Sequence, residues 1–311
     1  MTTIEDLPTE LLWMILDRTG DAPQVPFVCR QWKVLARAIA DASPAPPLCE
    51  AGKVVRPKRF YGGPERARVI AAAGHLDVLK WARQNGCPWD TWTCAEAAHA
   101  GHTDLLKWAR ANGCPWDEST CFAAARGGNL EALIWARERG CPWDERTCIE
   151  AASAGRLRVL KWARANGCPW SKSVCAEVAY CGRLDMLRWV RANGCPWGRS
   201  ALREAARGGH TDVFKWARIN GCPWNQSVTF AAAMGGRVEI LSWALDNGCP
   251  WDANDVPWAA ANFGHLDAVK WLHATGRLED IEGLINSTEC GRNDRVKAVH
   301  RWLKQCKRNN C

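Results

Sequence analysis

The stretch Gly86-Cys87-Pro88-Trp89 returns six more times along this 311-residue chain, always at an interval of 27 residues. The later copies begin at Gly113, Gly140, Gly167, Gly194, Gly221 and Gly248. A tryptophan keeps the same interval from Trp81 to Trp243, and a glycine does so from Gly74 to Gly236. A fixed period in this range predicts stacked repeats, in which each unit buries its apolar face against its neighbours.

Each repeat is predicted to contain two short helices. A capping residue follows six of the seven Pro-Trp pairs, at Asp90, Asp117, Asp144, Ser171, Asn225 and Asp252. Gly101 separates the first helix from the second, and Asn112-Gly113 ends the second helix because glycine adopts a positive φ readily. Pro115 then prevents continuation. The pattern therefore predicts an all-α fold.

Composition indicates a protein without a membrane span or a secretion signal. No run of about 18 apolar residues occurs, and the N-terminus lacks the basic start of a signal peptide. Most of the 17 cysteines recur at two repeat positions, and without a secretion signal we expect reduced thiols in the cytoplasm or the nucleus. No Cys-x-x-Cys occurs, which argues against a zinc ribbon or a thioredoxin-type motif. The basic cluster Arg56–Arg59 fits a solvated linker, and nuclear import is the alternative.

Residues 1–45 differ from the repeats. Two motifs stand out: Leu7-Pro8-x-Glu10-Leu11-Leu12-x-x-Ile15-Leu16 and Val28-Cys29-Arg30-x-Trp32. Together they resemble an F-box, although residues 21–26 replace the leucine-rich middle of that family. The resemblance implies docking onto a Skp-type adaptor of a cullin-based ubiquitin ligase. It assigns adaptor contact to Leu7, Pro8, Leu11, Leu12, Ile15, Leu16, Val28 and Trp32. The alternative is a helical cap for the repeats, with no adaptor.

The repeat itself resembles the ankyrin repeat. The resemblance rests on Ala97-Ala98 in the first helix and on Gly74-His75-Leu76-Asp77-x-Leu79-Lys80 at the second. Ankyrin units have 33 residues, so the Gly-Cys-Pro-Trp corner would replace their β-hairpin finger. An F-box followed by such repeats is similar to proteins of giant DNA viruses of amoebae, which would place this chain in the host cytoplasm. The predicted organisation is therefore an F-box-like segment at 1–45, a Pro/Gly-rich basic linker at 46–65, an α-solenoid of about eight ankyrin-like repeats at 66–275, and a degenerate closing repeat with a basic tail at 276–311.

No pattern predicts catalysis or a cofactor. Cys94, His99 and His102 form the one local set worth testing for a metal, and ordinary packing is the alternative interpretation. The cysteine series from Cys87 to Cys249 invites a redox or metal interpretation, against which we favour packing between repeats. The arginine series from Arg83 to Arg218 could follow a phosphate backbone, but its place in each last helical turn favours interaction with the helix dipole. We therefore expect no enzyme, no metal, no nucleic acid and no membrane partner.

One position varies freely between repeats. It lies two residues before the turn glycine and is occupied by His99, Arg126, Ser153, Tyr180, Arg207, Met234 and Asn262. We predict that these residues bind an unknown target protein; the alternative is that the position is merely exposed. The expected function is a substrate-recognition subunit of a ubiquitin ligase, monomeric outside its complex. The alternative is an interaction scaffold without a link to ubiquitin.

Overall fold

A computed structural model describes residues 63–291 and 293–309 of the chain. The F-box-like segment, with its eight predicted adaptor-binding residues, and the linker up to residue 62 lie outside the described residues. Within the described ranges every regular element is a helix. The prediction of an all-α repeat fold is therefore confirmed for this part of the chain.

The described residues divide into two compact units, one ending at Cys168 and the other beginning at Pro169. The helices of the first unit are α1 Glu65–Ala72, α2 Leu76–Gln84, α3 Thr91–Ala100, α4 Thr103–Ala111, α5 Glu118–Gly127, α6 Leu130–Glu138, α7 Glu145–Ser153 and α8 Leu157–Ala165. Those of the second unit are α9 Lys172–Tyr180, α10 Leu184–Ala192, α11 Ser200–Gly208, α12 Thr211–Ile219, α13 Gln226–Met234, α14 Val238–Asp246, α15 Asp255–Asn262, α16 Leu266–Ala274, α17 Ile281–Thr288 and α18 Asp294–Asn309. Odd-numbered helices are the first helices of their repeats, and even-numbered helices are the second helices.

Within each unit, consecutive first helices pack on one another, and each first helix also packs on its own second helix. The close approach of first helices depends on alanine pairs such as Ala97-Ala98 and Ala205-Ala206, which are fully buried. The final helix α18 packs against α15, α16 and α17. Each unit is therefore a stack of helix pairs.

The second helices supply the large apolar side chains of the core. One leucine or phenylalanine per repeat is completely buried: Leu79, Leu106, Leu133 and Leu160 in the first unit, and Leu187, Phe214 and Leu241 in the second. Burial of such a side chain contributes about 1.5–3 kcal/mol. The repeating core follows directly from the 27-residue period.

The predicted N-caps are present at the starts of the first helices. Asp117 accepts a hydrogen bond from the backbone N–H of Ser119 at 2.9 Å, and Asn225 accepts one from that of Ser227 at 3.1 Å. Asp252 departs from the pattern, because α15 begins only at Asp255. Its carboxylate still accepts hydrogen bonds from the N–H groups of Asn254 and Asp255, each at 2.8 Å.

The helix ends also match the prediction. The φ of Gly113 is +83°, and the N–H of Cys114 donates to the carbonyl of Ala109 at 3.0 Å. This six-residue closure is the Schellman arrangement, which satisfies carbonyls left open at a helix end. No helix in the described ranges is long and apolar enough to cross a membrane.

Candidate protein-binding face

The Gly-Cys-Pro-Trp corner joins consecutive second helices. The Arg110 guanidinium donates to the Cys114 carbonyl at 3.1 Å and lies 4.6 Å from the centre of the Trp116 ring. Trp116 in turn meets Trp135 of the following second helix edge-on, with 5.7 Å between ring centres. The same stacking of arginine on the corner tryptophan occurs at Arg83, Arg137, Arg191 and Arg218. Since these guanidinium groups are engaged by the corner, the arginine series has a structural role.

The corner cysteines are buried hydrogen-bond donors. Cys141 has no exposed surface, and its Sγ lies 3.3 Å from the carbonyl oxygen of Asp117, 24 residues earlier. Burial raises the pKa of Cys87, Cys222 and Cys249 to about 11, which keeps these thiols protonated at neutral pH. These observations agree with the packing interpretation of the cysteine series.

The residue after the turn glycine connects neighbouring repeats at several positions: His102, Asn129, Arg156 and His265. Asn129 donates from Nδ2 to the Ala98 carbonyl at 3.0 Å, and a ring nitrogen of His265 lies 2.8 Å from the Met234 carbonyl oxygen. Both carbonyls belong to the first helix of the preceding repeat. This role was not predicted from the sequence. The signal was available, because the position holds only side chains with N–H groups: His75, His102, Asn129, Arg156, Arg183, His210, Arg237 and His265.

The candidate metal set is not assembled around a common point. His102 reaches the Ala72 carbonyl at 3.2 Å, His99 reaches the Ala123 carbonyl at 3.3 Å, and Cys94 is fully buried. In residues 63–291 and 293–309, no group of three or more His, Cys, Asp or Glu side chains could hold a metal ion.

The predicted target-binding residues all lie in the last turn of a first helix. His99, Arg126, Tyr180 and Arg207 are exposed, while Ser153, Met234 and Asn262 are half-buried. The first unit carries three of the seven and the second unit carries four. The surface formed in each unit by these residues, together with the residues around them on the first helices and at the N-terminal ends of those helices, is called the variable face.

A second variable position lies four residues earlier, on the same side of each first helix, because residues four apart are neighbours on a helix surface. It is occupied by Ala95, Phe122, Ile149, Ala176, Arg203, Phe230 and Trp258. The sequence analysis did not identify this position. Its change from alanine to arginine and tryptophan between repeats was the signal that could have found it.

In the first unit the variable face has an aromatic and a charged part. Trp92, 43% exposed, meets Phe122 edge-on with 6.2 Å between ring centres. Arg126 lies 3.8 Å from a carboxylate oxygen of Glu150 on the next first helix. Exposed aromatic and arginine side chains of this kind are enriched at the energetic centres of protein interfaces.

In the second unit a groove of about 420 Å³ runs between α9 and α11. Its walls include Glu177, Tyr180, Arg203, Glu204 and Arg207. Arg203 donates to Glu204 at 2.8 Å, and the same carboxylate lies 3.8 Å from Arg207. The Arg207 guanidinium is 5.7 Å from the centre of the Tyr180 ring. Two of the predicted target-binding residues, Tyr180 and Arg207, therefore meet here.

A second groove of about 550 Å³ lies where α13, α15 and α17 approach one another. Phe230, Pro257, Trp258 and Leu284 form its apolar lining, and Trp258 is 44% exposed. Asp255 and Asp280 stand at its polar edge. The lining comes from the second variable position, at Phe230 and Trp258, and from residues around it. Met234 and Asn262, two of the predicted target-binding residues, do not line this groove.

Comparison with known proteins gives one kind of match. No protein-family model matches the chain, and no curated protein matches it. Among solved structures, the chain is similar to the crystal structure of the human ASB11 ankyrin repeat domain. The sequence identity is 18% and the TM-score is 0.41, over 52% of this chain and 85% of that domain. The helix pairs and corners described above define, by their own geometry, a helical repeat protein.

Proposed function

We propose that this chain is a protein-binding scaffold and that the variable face holds its partner. The contrast between constant and variable positions carries the proposal. Corner residues such as Cys114 and Trp116 recur at seven consecutive corners, and each contacts a neighbouring repeat. Residues of the variable face differ from repeat to repeat although they occupy equivalent backbone positions. A recognition surface needs such differences, whereas the scaffold does not.

The chemistry of the variable face supports a protein partner. Trp92, Tyr180 and Trp258 expose large aromatic surfaces, and Tyr180 lies beside Arg207. Tryptophan, tyrosine and arginine dominate the binding energy of protein interfaces. The grooves of the second unit are open to solvent, which suits side chains of a partner better than an enclosed small molecule.

The proposal is tested by capture of partner proteins with the full-length chain. The test variant combines Arg126→Ala, Tyr180→Ala and Arg207→Ala on the variable face. The control variant combines Arg158→Ala, Arg188→Ala and Ile219→Ala, which likewise removes two arginines and one large side chain from exposed positions, here on the second helices. We expect partners of the unaltered chain to be lost from the test variant and kept by the control. Equal retention by both variants contradicts the proposal.

A more specific form adds a role in ubiquitin transfer. In this form residues 1–45 dock a Skp-type adaptor, and the variable face holds the protein to be ubiquitinated. The F-box-like motifs carry this addition. We expect the adaptor to co-purify with the full chain and to be lost on Leu11→Asp with Leu12→Asp. Absence of the adaptor, or its persistence in that variant, leaves the scaffold role without a link to ubiquitin.

A further inference from the structure

Charge changes sign along the variable face of the second unit. At α11 the face carries Arg203 and Arg207, both exposed. Helix α13, Gln226–Met234, contains no charged residue and contributes Phe230. Around the starts of α15 and α17 the exposed charges are acidic, at Asp255 and Asp280. Glu177 and Glu204 line the same groove as these arginines but are less exposed. The exposed charge therefore passes from basic, through an aromatic part, to acidic within one compact unit.

The basic end has donor capacity left for a ligand. Arg203 and Arg207 share the single carboxylate of Glu204, whereas each guanidinium has five N–H donors. The open groove beside them is about 420 Å³. A carboxylate entering this groove would form charge-assisted hydrogen bonds with both arginines, and such bonds are about twice as strong as neutral ones.

The central part of the face fits bulky apolar side chains. Phe230, Trp258 and Leu284 surround a groove of about 550 Å³, large enough for one aromatic or two aliphatic side chains. Trp258 is 44% exposed in the chain alone, so an occupant would remove apolar surface from water. Asp255 and Asp280 at the edge favour a cation next to that apolar group.

The spacing between the ends sets the length of the occupant. The first helices α11, α13, α15 and α17 pack in series. Neighbouring packed helices are about 8–10 Å apart, so the three intervals span roughly 25–30 Å. An extended chain covers about 3.3 Å per residue. About eight or nine residues therefore reach from Arg203 to Asp280.

We infer that the second unit recognises an extended protein segment of about nine residues with a fixed polarity: acidic at one end, bulky and apolar in the middle, and basic at the other end. The acidic end lies against Arg203 and Arg207, the apolar residues enter the groove at Phe230 and Trp258, and the basic end meets Asp255 and Asp280. This inference rests on the proposed function, to which it adds the chemistry of the partner.

The test uses the full chain and a fluorescent synthetic peptide of about ten residues. The peptide has two glutamates at one end, leucine and phenylalanine in the middle and two lysines at the other end, with serines between. A peptide of the same composition with alternating charges is the control. We expect saturable binding by fluorescence anisotropy that weakens with added salt, and binding of the control that is at least about tenfold weaker.

Two variants locate the peptide. Arg203→Glu with Arg207→Glu should weaken binding about tenfold, and a peptide with lysines in place of its glutamates should regain that loss. Trp258→Ala should also weaken binding about tenfold, while Ile219→Ala should leave the Kd unchanged. Because these side chains are exposed, the circular dichroism spectrum of each variant should match that of the unaltered chain.

Equal binding of the two peptides overturns the inference, and so does failure of the charge exchange to restore binding. Absence of binding overturns it as well. These outcomes do not decide whether the proposed function is correct. If the Arg126, Tyr180 and Arg207 variant loses its captured partners while the polar peptide does not bind, the scaffold role stands and the chemistry of the partner is wrong.

Discussion

At the scale of single residues, one position shows how the repeats tolerate chemical change. Seven residues after the corner glycine, a buried position of the first helices is threonine at Thr93, Thr120 and Thr147, but valine at Val174 and Val228. Thr93 Oγ1 accepts a hydrogen bond from the Asp90 N–H at 3.3 Å. The hydroxyls of Thr120 and Thr147 have no partner among the described residues. The threonine hydroxyl therefore differs in its hydrogen bonding between equivalent positions of the repeats.

Replacement of an unpartnered threonine by valine should stabilise the protein. A buried hydroxyl without a hydrogen bond costs about 1–3 kcal/mol, and valine has nearly the same shape. We expect Thr120→Val and Thr147→Val each to raise the free energy of unfolding by about 1 kcal/mol. Thr93→Val should instead lower it by a similar amount, because the capping bond is lost. Denaturant unfolding measures all three, and stabilisation by Thr93→Val would contradict the assignment.

The two glycine positions of a repeat should differ in their tolerance of alanine. Gly236 and Gly248 both have positive φ, 66° and 77°. A Cβ at Gly248 would meet nothing within 4 Å, whereas one at Gly236 would lie 2.4 Å from the His265 ring. Displacement of that ring breaks its hydrogen bond to the Met234 carbonyl.

Backbone strain should therefore cost both alanine variants about 1–2 kcal/mol. Gly236→Ala should lose about 1 kcal/mol more, through the hydrogen bond between repeats. The comparison is made by the midpoints of denaturant unfolding. A larger loss for Gly248→Ala would show that His265 does not stabilise the turn.

At the scale of elements, the sequence predicted much of the repeat, because helix boundaries are set locally. Asp117 as an N-cap, Gly101 as a turn and Gly113 as a helix end each act on their own few residues. Contacts between repeats were harder to predict. The bond from Asn129 to Ala98 and the stacking of Arg110 on Trp116 depend on how separate elements lie in space. The groove between α9 and α11 could not be predicted from the sequence for the same reason, because its walls come from two repeats.

The start of α3 should respond to pH through its contact with α1. Arg68 donates from Nε to Asp90 at 3.1 Å. Partial burial opposes ionisation of Asp90, but the hydrogen bond and charge of Arg68 outweigh it and hold its pKa below the ordinary value. A depressed folded pKa stabilises the fold above the unfolded pKa of about 3.9, and this stabilisation disappears as the pH falls through the folded pKa.

Asp90→Asn removes the charge of the side chain but keeps a capping oxygen, since asparagine also caps a first helix at Asn225. We expect the variant to be less stable than the unaltered chain at pH 7, with the difference shrinking below about pH 4. Asp117→Asn is the control, since Asp117 also caps a first helix but has no ion pair in the described ranges. A difference at pH 7 that persists unchanged in acid would contradict the role of Arg68.

At the scale of the whole molecule, constant and variable positions have separate tasks. The corner residues hold second helices together, and the turn residues hold first helices together. The variable face has neither of these tasks, and its aromatic and charged side chains differ from repeat to repeat. The central claim is that this face binds a protein partner.

Photo-crosslinking from two single positions tests that claim most directly. A photoreactive phenylalanine analogue replaces either Tyr180 on the variable face or Ile219 at the end of a second helix. Each full-length variant is irradiated in a lysate of the cells that produce the protein. Ile219 is 79% exposed and Tyr180 only 42%, so exposure alone favours crosslinks from position 219. We predict discrete protein crosslinks from position 180 and none from position 219. Crosslinks that are equal at the two positions, or stronger from 219, would contradict the claim.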